Sequence, residues 1–106
     1  MDRKSIVELV ARFGAELQKR GVCAQRIVLY GSQASGKAHE GSDVDVVVIS
    51  SDFEGKGFWE RIDLMSDALY AVYAPIEAVA MTPQEWASGK SMIVEFARDG
   101  EVLYAA

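Results

Sequence analysis

Asp43 and Asp45 stand two residues apart at the head of an apolar run, Val46-Val47-Val48-Ile49. Side chains on a strand alternate faces, so both carboxylates point the same way, with Cα atoms about 6–7 Å apart. At that separation two carboxylates reach one hard cation. The run behind them does not alternate, which predicts a strand covered on both faces. Two like charges leading into it repel unless metal, solvent or a basic group compensates. An Asp-x-Asp alone is more readily the end of a strand dipping into solvent. The stretch just upstream separates the two readings: Ile27–Tyr30 reads as a buried strand, and Gly31-Ser32 must turn the chain sharply after it. Glycine tolerates positive φ and close approach to the backbone. Turn amides and the Ser32 hydroxyl suit a phosphate, particularly if residues 32–37 begin a helical turn.

A third acid, Glu77, sits inside the apolar segment Ile76–Met81, with Val79 and Met81 on its side of the strand. An acid there is costly without a partner, so it reads either as a metal ligand or as an exposed edge position. Gly31 to Ala38 also matches a P-loop at both glycines and at Lys37, but Ala38 stands where a Ser or Thr should hold magnesium. Only four residues then separate Ala38 from the Asp43 strand, too few for the helix a P-loop needs. Lys37 is kept as a phosphate-binding candidate.

Gly31-Ser32, nine residues, then Ser42-Asp43-Val44-Asp45 resembles the signature of the polymerase-beta-type nucleotidyltransferases, above all their smallest branch, the minimal nucleotidyltransferase (MNT) domains. Pro75-Ile76-Glu77-Ala78-Val79 resembles the strand that carries that family's third carboxylate, and the likeness spans about residues 4–104. The resemblance implies an α/β fold with a small mixed sheet flanked by helices, and catalysis of nucleotidyl transfer. By the family pattern Asp43, Asp45 and Glu77 hold magnesium, with two ions expected, while Gly31, Ser32, Ser42 and Lys37 hold the nucleotide, ATP first among the candidates. Glu77 replaces the commoner aspartate and would lie nearest the attacking hydroxyl. Minimal members pair with helical HEPN proteins as toxin–antitoxin couples, which implies such a partner; a homodimer stays open. The contrasting expectation is a transferase fold that has lost activity and acts by docking alone.

The elements that must position these residues read as follows. Residues 2–20 form an amphipathic helix on Ile6, Val10, Phe13 and Leu17, with Val7 and Leu9 widening the stripe, Asp2 as N-cap and Gly21 as stop. Strands are expected over 26–30, 43–50 and 75–81, with a polar turn from Phe53 to Gly57. Phe58 to Tyr73 returns to helical spacing on Phe58, Ile62, Met65, Leu69 and Val72, with Trp59, Tyr70 and Tyr73 as added aromatic surface and Arg61 on a solvated face. Thr82-Pro83-Gln84-Glu85 spells a helix start, Ser91–Arg98 a second short helix carrying Met92, Ile93 and Phe96, and Val102–Tyr104 a terminal edge strand or a hairpin return.

The chain has 106 residues, half of them apolar and a quarter charged, enough for one domain with one modest core. Its net charge of −5 argues against broad nucleic-acid binding but not against a nucleotide. A single Cys23 forms no internal disulfide, and a single His39 cannot build a zinc site. With no long apolar run and no signal pattern, a cytoplasmic location and no membrane partner are expected.

Overall fold

The computed structural model describes residues 2–38 and 43–105. Four strands, β1 (Arg26–Tyr30), β2 (Val44–Ile49), β3 (Ile76–Met81) and β4 (Glu101–Ala105), form one mixed sheet in the order β3-β2-β1-β4. β1 runs antiparallel to both β2 and β4, whereas β2 and β3 are parallel. Among the described residues five α-helices accompany it: α1 (Arg3–Lys19), α2 (Gly31–Ser35), α3 (Phe58–Val72), α4 (Pro83–Ser88) and α5 (Met92–Ala97). The expected α/β class and flanked mixed sheet are what the chain forms. Among the described residues, no helix is long and apolar enough to cross a membrane.

The central pair of strands explains the unbroken valine run. Val44, Val46 and Val48 face α1 and α3 with Ile27 and Leu29, while Val47 and Ile49 face α4 and α5 with Val28 and Met81. Both faces are covered, so neither register position tolerates a polar side chain there. Each fully buried aliphatic side chain of this run contributes about 1.5–3 kcal/mol of burial. α1 starts where expected, with the Asp2 carboxylate accepting from the Ser5 N–H at 2.7 Å. At the start of α4, Thr82 and Glu85 cap each other reciprocally, with Pro83 in the first turn.

Three local readings are corrected. Val7 is on the open side of α1, and Gly14 takes its place in the buried stripe because Tyr104 of β4 packs directly over it. Phe53 is not part of a polar turn: it closes a short 3-10 turn, Ser51–Phe53, and is fully buried in the α1/α3 layer. On α5 the buried positions are Val94 and Ala97, whereas Met92 and Phe96 face outward. The helix is too short for its apolar stripe to fix its face unaided; the small residues dock against the sheet because they allow close approach.

Candidate active site

Gly31 ends β1 and opens α2 in the left-handed conformation, φ 74°. A residue with a Cβ is disfavoured in that region. The position is restricted twice over, because a Cβ at Gly31 would collide with Oδ2 of Asp45. The absent side chain is what lets the Asp45 carboxylate lie flat against the turn. Antiparallel pairing sets Asp45 opposite Tyr30 across β1 and β2.

Parallel pairing brings in the third acid. Asp45 and Glu77 are Cα partners in the β2–β3 register, so both side chains leave the sheet on one face. Asp43 precedes β2 by one residue and lies on that same side. Glu77 feels both neighbours: a hydrogen bond shared with Asp45, then the charges of Asp43 and Asp45, raise its pKa above the ordinary 4.5. Glu77 and Asp43 are exposed and Asp45 is half-buried, so solvent reaches this group of carboxylates. β3 is also the edge of the sheet, so Glu77 is an edge position and a neighbour of the aspartates at once.

The phosphate side of the expected site is partly in view. The short helix α2 begins at Gly31, as the turn predicts, and its Gly36 cap closes it with φ 77°. The Ser32 carbonyl accepts from the Lys37 N–H at 3.1 Å and from the Ser35 hydroxyl at 3.3 Å, which fixes the turn. Lys37 is exposed. Ser42, along with His39, lies outside the described residues.

Carboxylate oxygens are the right donors for a hard divalent ion, and their mutual repulsion is what such an ion relieves. Among the described residues, however, no three His, Cys, Asp or Glu side chains are gathered into an arrangement that by itself would hold a metal. Magnesium commonly uses one or two carboxylates and completes its shell with water and substrate phosphates, so the donor chemistry fits a metal bound together with nucleotide.

Two other residues belong to this description. Tyr30 was read only as the end of a strand, yet its hydroxyl pKa is raised by burial first and then by the charges of Asp45 and Glu77. The signal for it was present: a hairpin-like return from β1 to β2 must place Tyr30 opposite one of the acids. Arg61, expected on a solvated face, is instead committed to structure. It donates to Glu85 at 2.6 Å and to the Lys56 carbonyl at 2.8 Å, tying α3 to the start of α4.

The sequence pattern of the nucleotidyltransferase domain family matches residues 10–98. The chain belongs to the nucleotidyltransferase domain family. No curated protein gives a significant match. Solved structures show the fold of this nucleotidyltransferase domain recurring at low identity. A proposed nucleotidyltransferase from Sulfolobus solfataricus aligns with TM-score 0.73 and 13% identity over 95% of this chain and 81% of its own. A toxin–antitoxin structure with AMP-PNP aligns with TM-score 0.64 and 19% identity, over 94% and 73%. The toxin–antitoxin pair MntA–HpeT, in a variant with two Asp→Glu changes, aligns with TM-score 0.57 and 18% identity, over 100% and 75%.

Proposed function

We propose that this domain is a magnesium-dependent transferase that moves AMP from ATP onto a hydroxyl of a HEPN-type partner, and thereby acts as an antitoxin. The observation that carries the reading is the register pairing Asp45 with Glu77, with Gly31 backing the Asp45 carboxylate. Membership of the nucleotidyltransferase family and a fold shared with toxin–antitoxin proteins, one of them crystallised with AMP-PNP, support it.

In this reading the Gly31–Ser32 turn, with Ser42 and Lys37, holds the triphosphate. Asp43 and Asp45 hold divalent metal, two ions with Glu77 as the third carboxylate. Bound metal supplies charge neutralisation on the triphosphate and polarises the attacking oxygen. Glu77 accepts the proton of the acceptor hydroxyl as its oxygen attacks the α-phosphorus, and pyrophosphate leaves. Gly31 keeps Asp45 oriented throughout.

A second reading, a domain that neutralises its partner by docking alone, draws on Glu77 being an exposed edge residue. One assay separates the two. Labelled ATP, magnesium and the partner are incubated with native chain, Glu77→Gln and Glu77→Asp. The transferase requires labelling by native chain and by Glu77→Asp, with Glu77→Gln retaining nucleotide binding but losing transfer. Tight partner binding with no label from any nucleoside triphosphate refutes it.

A further inference from the structure

α3 carries two apolar faces, and only one of them is used. Met65, Ala68 and Val72 pack into the core. At 3.6 residues per turn, Phe58, Trp59, Ile62, Leu69, Tyr70 and Tyr73 form a second strip, roughly 120° wide, along the helix. Four of the ten aromatic residues of the chain lie on it, with Phe58 69%, Trp59 73%, Tyr70 81% and Tyr73 89% exposed. Isolated exposed apolar residues are ordinary, whereas a contiguous strip of aromatic rings marks a contact surface.

The strip is also concave. Two clefts adjoin it, one of about 540 Å³ between α3 and the Ala74–Pro75 turn that leads into β3 and one of about 520 Å³ between α3 and β3 at the Phe58 end, and Ile62 lines both. Tyr73 adds a sign of its own. It caps α3 in the left-handed conformation, φ 46°, a position that suits glycine, and so holds a large ring out in solvent at a backbone cost of about 1–2 kcal/mol.

Charge selects the occupant. Glu60, Asp63 and Asp67 border the strip on its outer side, all exposed, and none of the ion pairs among the described residues involves them. Arg61, the one cation of α3, lines the cleft at the Phe58 end beside Lys56, on the side away from these acids, and its charge is met there by Glu85. A second copy docking by antiparallel α3 helices would set acidic border against acidic border, between chains of net charge −5 each. We propose that the outer face of α3 is the docking surface for an amphipathic helix of another protein, whose apolar stripe is bordered by Lys and Arg. Trp59 and Tyr70 are its anchors, and the helix lies along the α3–β3 groove. Its Pro75 end is two residues from Glu77, so what docks there sits beside the carboxylates. The docking does not depend on nucleotidyl transfer and stands or falls separately.

Two designed helical peptides with the same leucine stripe, one bordered by lysines and one by glutamates, are titrated into the full chain by calorimetry at low and high salt. Sedimentation of the chain alone runs in parallel. The lysine peptide is expected to bind at least about tenfold tighter than its twin, with the margin shrinking in high salt. Trp59→Ser and Tyr70→Ser should each weaken it about tenfold or more while leaving the melting temperature unchanged, since both rings are exposed. Equal affinity of the two peptides, or binding by neither, overturns the proposal. So does a chain that sediments as a dimer and is dissociated by Trp59→Ser, because the face is then covered by a second copy.

Discussion

Replacing Gly31 by alanine tests the geometry of the candidate site without touching any charged group. Two costs separate cleanly, because Gly36 five residues on shares the backbone conformation but not the surroundings. Gly36 has φ 77° and nothing within 4 Å of where a Cβ would stand, so Gly36→Ala reports left-handed strain alone, about 1–2 kcal/mol. Gly31 has φ 74° and the same strain, plus a collision with Asp45 Oδ2 that forces the carboxylate off its seat. Overpacking of this kind adds about 1–3 kcal/mol. Gly31→Ala should therefore lose about 2–5 kcal/mol in urea unfolding, clearly more than the Gly36→Ala control. The excess should vanish in the background of Asp45→Ala, which removes the oxygen and leaves its Cβ 3.4 Å from the new methyl. A double-mutant cycle reads that coupling directly. If Gly31→Ala and Gly36→Ala cost the same, or the Asp45→Ala background recovers nothing, the close approach of turn and carboxylate is refuted.

Glu77 gives a pH signature. Its folded pKa is raised, so its repulsion from Asp43 and Asp45 is absent at low pH and grows as pH rises from about 4.5 through the folded value; metal-free stability should fall over that window, and Glu77→Gln should flatten it in urea melts at stepped pH. Magnesium with nucleotide should offset the loss in native chain but not in the Asp43→Asn, Asp45→Asn double variant; an equal shift in Tm for both denies the metal role of the pair. Phe53→Ala should cost about 3–5 kcal/mol, since the ring is fully buried in the core cluster that α1 and α3 share with the sheet; a loss below about 1 kcal/mol contradicts its place in the core. Thr82→Ala should cost about 1 kcal/mol by removing the cap on α4, measured by thermal unfolding.

The two long helices were legible from their periodicity, and the central strand from an apolar run that has none. An unbroken valine run can only be a strand with both faces covered, and Ile6, Val10, Phe13 and Leu17 can only be a helix stripe. The pairing of Asp43 with Asp45 followed from strand alternation alone. Their meeting with Glu77 did not, because it depends on β2 and β3 running parallel in one register, a non-local fact that no window of residues contains. Phe53 was misread for a related reason: its neighbours Asp52, Glu54 and Gly55 advertise a turn, and only the core that α1 and α3 share with the sheet claims the ring. On α5, six residues give fewer than two turns, so Met92 and Phe96 outweighed Val94 and Ala97 by size although small side chains let the helix dock. Tyr30 was visible as a strand residue, and its nearness to the acids required knowing that β1 and β2 are antiparallel neighbours.

The parallel register of β2 and β3 has a consequence for how this sequence can change in length. The connection from Ser50 to Pro75 runs through turns and α3, and one residue added among Glu54–Gly57 is absorbed there, since the apolar pattern of β3 re-seats the strand. One residue added between Ile76 and Glu77 behaves differently. Faces alternate with period two, so it would move the acid to the side where Ile76, Ala78 and Ala80 now pack against the α1/α3 layer. The chain would then bury a charge and empty the position beside Asp45 in a single step. Insertions and deletions should accordingly be found among relatives in the loop before α3, and be excluded from the two residues on either side of Glu77, where the spacing to Pro75 works as a reading frame.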